Sequence, residues 1–219
     1  MSAEACGPNV SARRLRAPSP VLLSSLLALL VGLGGTLAVS ELLKHPAVAT
    51  RTATAQYLPS VVAGQPELAA DFTLPDQGGA AVSLSGLRGH EVLITFMDPQ
   101  CTAMCPIVGQ EIGAVEASLP AGVRPILLVV SVAPNRTAAD VATFTSHVTW
   151  RPGWHWLLGN QAQLQSVWAT YHIAVQPTPT DVAHDETLYV VDPRGVISAG
   201  YNAPLPVQDV ASTITKSSR

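Results

Sequence analysis

Two cysteines four residues apart carry the densest chemistry in this chain, in the run Cys101-Thr102-Ala103-Met104-Cys105-Pro106. The i, i+4 spacing places both thiols on one face if the run opens a helix. A helix N-terminus favours the thiolate and lowers its pKa. Pro106 suits so early a position, where its missing N–H would have no partner anyway. Two close thiolates suit either a reversible disulfide or a soft metal ion. The plainer alternative is a structural disulfide or two buried thiols. A bridge closing so short a loop, however, constrains the unfolded chain little.

A third ligand has to come from elsewhere. His184 stands in Val182-Ala183-His184-Asp185, a polar loop just ahead of a strand predicted at 188–192. In an α/β sheet, a loop entering a strand beside the first one can face the cysteine-bearing turn. An imidazole there would complete a Cys2His site, a donor set that fits Cu(I) or Cu(II). Taken alone, a histidine in such a loop reads as solvent-exposed. The other histidines are placed worse: His45 is in a linker, His147 and His172 follow helices, and His155 lies between two tryptophans. His90 falls at the far end of the first buried strand. Met97 ends that strand and Met104 is free to pack, so both read as packing residues. Asp98 reads as the cap of the turn that follows, with a second reading as an acceptor behind the site.

The elements that must position these residues alternate. Short strands are predicted at 71–74 and 82–84, and buried strands at 91–97 and 124–132. A short strand follows at 154–158, then two around the turn Pro193-Arg194-Gly195, at 188–192 and 196–201. Helices are predicted at 106–119 (with Ile107, Val108, Ile112, Val115 and Leu119 on its apolar face), 138–147, 161–171 and 207–216. This order predicts an α/β sandwich with parallel central strands.

The chain has 219 residues, of which 47% are apolar and only 12% charged. Ordinary soluble domains carry roughly 25% charge. The excess has one main source: residues 21–39 contain no charge, and a helix of about 20 such residues crosses a bilayer. Arg13, Arg14 and Arg16 precede the run, which predicts an N-terminus in the cytoplasm and an exported C-terminal part. A cleaved signal peptide is the alternative, with a poor cleavage site at Ala38-Val39-Ser40. The predicted organisation is a cytoplasmic tail at 1–20, a transmembrane anchor at 21–40, a flexible tether at 41–70 and an extracytoplasmic domain at 71–219. Cys6 then lies on the other side of the membrane from the cysteine pair. A net charge of −3 and a pI of about 6.0 argue against a nucleic-acid partner.

At this point the sequence resembles a family. Asp71-Phe72-Thr73-Leu74, Val82-Ser83-Leu84 and Leu87-Arg88-Gly89 are similar to the opening of thioredoxin-like redoxins. The CxxxCP of Cys101, Cys105 and Pro106, with His184 ahead of Leu188-Tyr189-Val190-Val191-Asp192-Pro193-Arg194-Gly195, resembles the Sco/SenC family. The resemblance implies a thioredoxin-like fold that binds one copper ion through Cys101, Cys105 and His184. It also implies a role in assembling the binuclear copper centre of cytochrome c oxidase, whose copper-bearing subunit would be the partner. Thr102, Ala133 and Ala183 depart from the family pattern and leave the three ligand positions intact. Two functions stay open: a membrane-anchored copper metallochaperone, and a thiol–disulfide oxidoreductase using Cys101 and Cys105 as its redox pair.

Overall fold

The runs VLITFM and ILLVVS offer almost no polar face to water, and both become strands in the middle of a six-stranded sheet. The structure is a computed structural model describing residues 67–179 and 181–218. Its strands are β1 (Glu67–Leu68), β2 (Thr73–Pro75), β3 (Ala81–Ser83), β4 (Val92–Met97), β5 (Ile126–Ser131), β6 (Trp154–Leu157), β7 (Val175–Pro177), β8 (Val182–His184), β9 (Thr187–Val191) and β10 (Val196–Asn202). Its helices are α1 (Met104–Ser118), α2 (Ala138–Thr145), α3 (Gln161–Thr170) and α4 (Val207–Ser217).

The main sheet runs β1-β10-β9-β4-β5-β6. β4, β5 and β6 are parallel, as helical crossovers require, whereas β9 pairs antiparallel with both β4 and β10. The sheet is therefore mixed, with its parallel part on one side. β2–β3 and β7–β8 form separate two-stranded sheets. Glu67 and Leu68 pair with Ile197 and Val196, so the main sheet takes in residues of the stretch predicted as tether.

Strand side chains alternate between faces, and two cores follow. Leu93, Met97, Leu127, Val129, Leu188 and Val190 meet α1, α2 and α4 on one face. Ile94, Phe96, Leu128, Val130, Tyr189 and Val191 meet α3 and the β2–β3 hairpin on the other. α1 lies unusually close to the segment after α2. A Cβ on Gly113 would sit 2.6 Å from the Thr149 carbonyl oxygen, and the Trp150 indole N–H donates to the Gly109 carbonyl at 2.7 Å. The apolar face predicted for α1 is buried except at Ile107, which is 47% exposed. Cys105 and Gly109 share the inward face instead.

Among the described residues, no helix is long and apolar enough to cross a membrane. The predicted tail, anchor and most of the tether lie outside the described residues.

Candidate metal centre

β4 ends at Met97, and the chain turns at the carboxyl end of the parallel strands, where α/β folds place their ligands. Asp98 is 2% exposed and organises the turn. Its carboxylate accepts the Gln100 N–H at 3.0 Å and both arms of Arg136, at 2.8 and 2.6 Å. Its carbonyl accepts the Cys101 N–H at 3.0 Å. The cap predicted for Asp98 is present, and the Arg136 pair adds a second anchor.

Cys101 lies in the loop ahead of α1, not in a helical turn with Cys105, because the helix begins only at Met104. The helix terminus still acts on it through direct bonds. The Cys105 thiol and the backbone N–H groups of Cys105 and Ala103 all point to the Cys101 sulfur. Led by the Cys105 contact, they lower its pKa to about 6. The same contact, with burial next, pushes the Cys105 thiol far up. Cys105 is fully buried and Cys101 nearly so, and both are free thiols. The pair thus gives up its first proton at Cys101 and keeps the second on Cys105.

His184 arrives by a different route. β9 runs antiparallel to β4, so its start lies beside the end of β4, with Thr95 opposite Leu188. The segment entering β9 therefore reaches the cysteine turn. His184 is not in a loop but ends β8, paired across to Val175. Its Nδ1 lies 3.1 Å from the Asp185 carbonyl oxygen. That oxygen can only accept, so Nδ1 carries the proton and Nε2 presents its lone pair. Nε2 stands 3.4 Å from the Cys105 sulfur. Two donors on one tetrahedral ion, at ordinary metal–sulfur and metal–nitrogen lengths, are about 3.6 Å apart. The Cys105 thiol and the imidazole therefore stand at the spacing of two donors on one soft or borderline metal, while Cys101 meets the Cys105 sulfur and lies outside the group of ligand atoms within 4.8 Å of one another.

A further residue at this place escaped the sequence reasoning. Cys105, His184 and Glu186 each offer one ligand atom, and these atoms lie within 4.8 Å of one another. Burial, followed by the nearby Cys101 and Glu111 charges, raises the Glu186 carboxyl to about 7. A sequence signal was available: residues at i and i+2 share a face of an extended segment, so Glu186 follows His184. Met104 is 42% exposed and does not pack inward as predicted. It lines a cleft of about 560 Å³ together with His172, His184, Glu186 and Asn202. His172, set aside by sequence position, thus stands on the wall of the same cleft. His155 does not; it bonds Asp76 at 3.0 Å.

The SCO1/SenC family model matches residues 61–219. The bovine (Bos taurus) mitochondrial SCO2 homolog is 25% identical over 156 residues, covering 67% of this chain and 58% of that protein. The chain thus spans less than two thirds of the length of that relative. The structure of Bradyrhizobium japonicum ScoI with copper bound has a TM-score of 0.59 at 25% identity, covering 68% of this chain and 99% of that one. The structure of BsSco, described as a Sco-family cytochrome c oxidase assembly protein with a disulfide switch, has a TM-score of 0.61 at 24% identity, covering 70% and 94%. These structural likenesses show the mixed α/β, thioredoxin-like fold, and the family match along residues 61–219 establishes that this chain belongs to the SCO1/SenC family.

Proposed function

We propose that this chain is a membrane-anchored copper metallochaperone that helps mature the binuclear copper centre of cytochrome c oxidase. Cys101, Cys105 and His184 hold the copper as cargo. The observation that carries the reading is the 3.4 Å approach of His184 Nε2 to the Cys105 sulfur. A dithiol shuttle needs no imidazole there, whereas a metal site does. The family membership and the copper-bound relative support the same choice. The acceptor is the copper-bearing oxidase subunit. The organisation proposed for this chain is an N-terminal tail at 1–20 in the cytoplasm, an anchor at 21–40, a tether from 41 that ends before β1, and an extracytoplasmic domain that includes β1 at Glu67–Leu68.

A second reading is favoured by the split between the two thiols. Cys101, ionised near neutral pH, beside a protonated and buried Cys105, is the pattern of an attacking and a resolving cysteine. In that reading the Cys101 thiolate attacks a partner disulfide, and Cys105 then displaces the partner thiol and closes the Cys101–Cys105 disulfide. The partner leaves as a dithiol.

One experiment separates the readings. The copper-loaded chain is mixed with the copper-free soluble domain of the oxidase subunit, its cysteines either reduced or oxidised. The metallochaperone passes copper to the reduced acceptor, and His184→Ala abolishes the transfer. Reduction of the oxidised acceptor without copper movement, unaffected by His184→Ala, contradicts the metallochaperone and supports the oxidoreductase.

A further inference from the structure

Three donors leave one position of a tetrahedral metal open, and a Glu186 carboxylate oxygen lies within 4.8 Å of both the Cys105 sulfur and a His184 ring nitrogen. We infer that Glu186 is the fourth ligand, making the donor set two thiolates, one imidazole and one carboxylate. This deepens the reading above and rests on Cys101, Cys105 and His184 being ligands.

Three observations converge on it. A Glu186 carboxylate oxygen, the Cys105 sulfur and a His184 ring nitrogen lie within 4.8 Å of one another. Glu186 Oε2 is removed from water and has no hydrogen-bond partner. A carboxylate oxygen left so is costly unless a proton or a cation meets it. The backbone around it is pinned: Ala203 N–H donates to the Glu186 carbonyl at 2.9 Å, and Asp185 N–H donates to Ala174 at 3.1 Å. The charged groups acting on it, Cys101 and Glu111, are acidic and supply no counter-ion. A metal ion bound by Cys105 and His184 would.

The fourth ligand changes what the site holds. Carboxylate oxygen is a hard donor. It completes a closed tetrahedron for Co(II) or Zn(II), gives Cu(II) a fourth donor, and adds little to Cu(I), which soft sulfur already satisfies. Glu186 therefore makes the site selective for oxidation state.

The test uses the reduced full-length chain without oxygen, titrated in turn with Co(II) and with Cu(I) against a competing chelator. Glu186→Gln keeps the volume and removes the charge; Glu186→Asp keeps the charge and withdraws the oxygen by one methylene. Both variants are expected to weaken Co(II) by about tenfold or more and to shift its visible d–d bands, while Cu(I) affinity stays near that of the parent. A tenfold loss for the divalent copper ion alone raises the potential of the bound copper couple by about 59 mV. Unchanged Co(II) affinity and bands in Glu186→Gln overturn the inference. So does a Glu186→Asp chain that binds like the parent, which would reduce Glu186 to a distant charge. An equal loss of Cu(I) and Co(II) overturns the selectivity. Failure of the unsubstituted chain to bind either ion contradicts the metal reading itself, so the two failures are distinguishable.

Discussion

The cysteine half and the histidine half of the centre are built differently. Cys101 and Cys105 belong to the core: β4 is buried at every position, Asp98 is clasped by Arg136, and α1 packs closely enough on residues 148–150 to require glycine at 113. His184 ends a three-residue strand of a separate two-stranded sheet, paired only with β7. A groove of about 520 Å³, lined in part by Val132, Arg136, Trp168, Val175 and Val182, lies beside that hairpin. The thiols are therefore held by global stability, and the imidazole by a small unit with few ties. Removing His184 should alter metal binding without cost to the fold. Disturbing the cysteine turn should cost both.

The largest effect is expected at the thiols. Cys105→Ser or Cys101→Ser should lower copper affinity by more than the about 10–100-fold that outer partners of a metal site are worth. Either change also abolishes the intramolecular disulfide, which thiol-alkylation mass shifts report. Retained tight copper binding in both variants would remove the sulfur ligands from the account.

Next comes the clasp behind the turn. Arg136→Met leaves Asp98 buried with its strongest partner gone. A fully buried pair broken this way costs more, but Arg136 is 22% exposed, so about 2–3 kcal/mol is expected. A fall in the urea midpoint without a change in slope measures it. A loss below about 0.5 kcal/mol, the range of ordinary surface substitutions, would mean the turn does not depend on the clasp.

A smaller, pH-dependent effect separates the two cysteines. Only the thiolate is nucleophilic. Cys101 is held near pKa 6, so its alkylation should be half-maximal near that pH, fall below it and level off above it. Cys105, pushed up by its contact with Cys101 and by burial, should react far more slowly at neutral pH. Equal rates at both positions, or a half-point near an ordinary thiol, would contradict the assigned order of deprotonation.

The two halves also differed in how legible they were. β4, β5 and β9 were readable because continuous apolar runs bounded by turns leave few alternatives, and CxxxCP marks its own place at a strand end. The histidine half was harder. β7 and β8 are three residues each, too short for a periodicity, and their pairing is set by the return of the chain into β9. His184 was found through its position before that strand and the family likeness. Glu186 was missed because an acidic residue in a polar stretch reads as solvated until burial of its oxygen is known. Met104 was misjudged for the converse reason. It opens α1 on the cleft side, where an apolar side chain stays exposed. That Cys101 stays outside the helix, which begins at Met104, is also tertiary in origin, since the turn is pinned by Asp98 and not by local propensity.

The central claim is that His184, and not the cysteine pair alone, makes this a copper site. It is tested most directly by the copper stoichiometry and affinity of the reduced full-length chain, measured for the parent and His184→Ala, with disulfide formation followed on the same samples. The account predicts one copper per parent chain, at least about tenfold weaker binding in His184→Ala, and a Cys101–Cys105 disulfide that forms equally well in both. Copper held by His184→Ala as tightly as by the parent would contradict it and leave the dithiol oxidoreductase as the better reading.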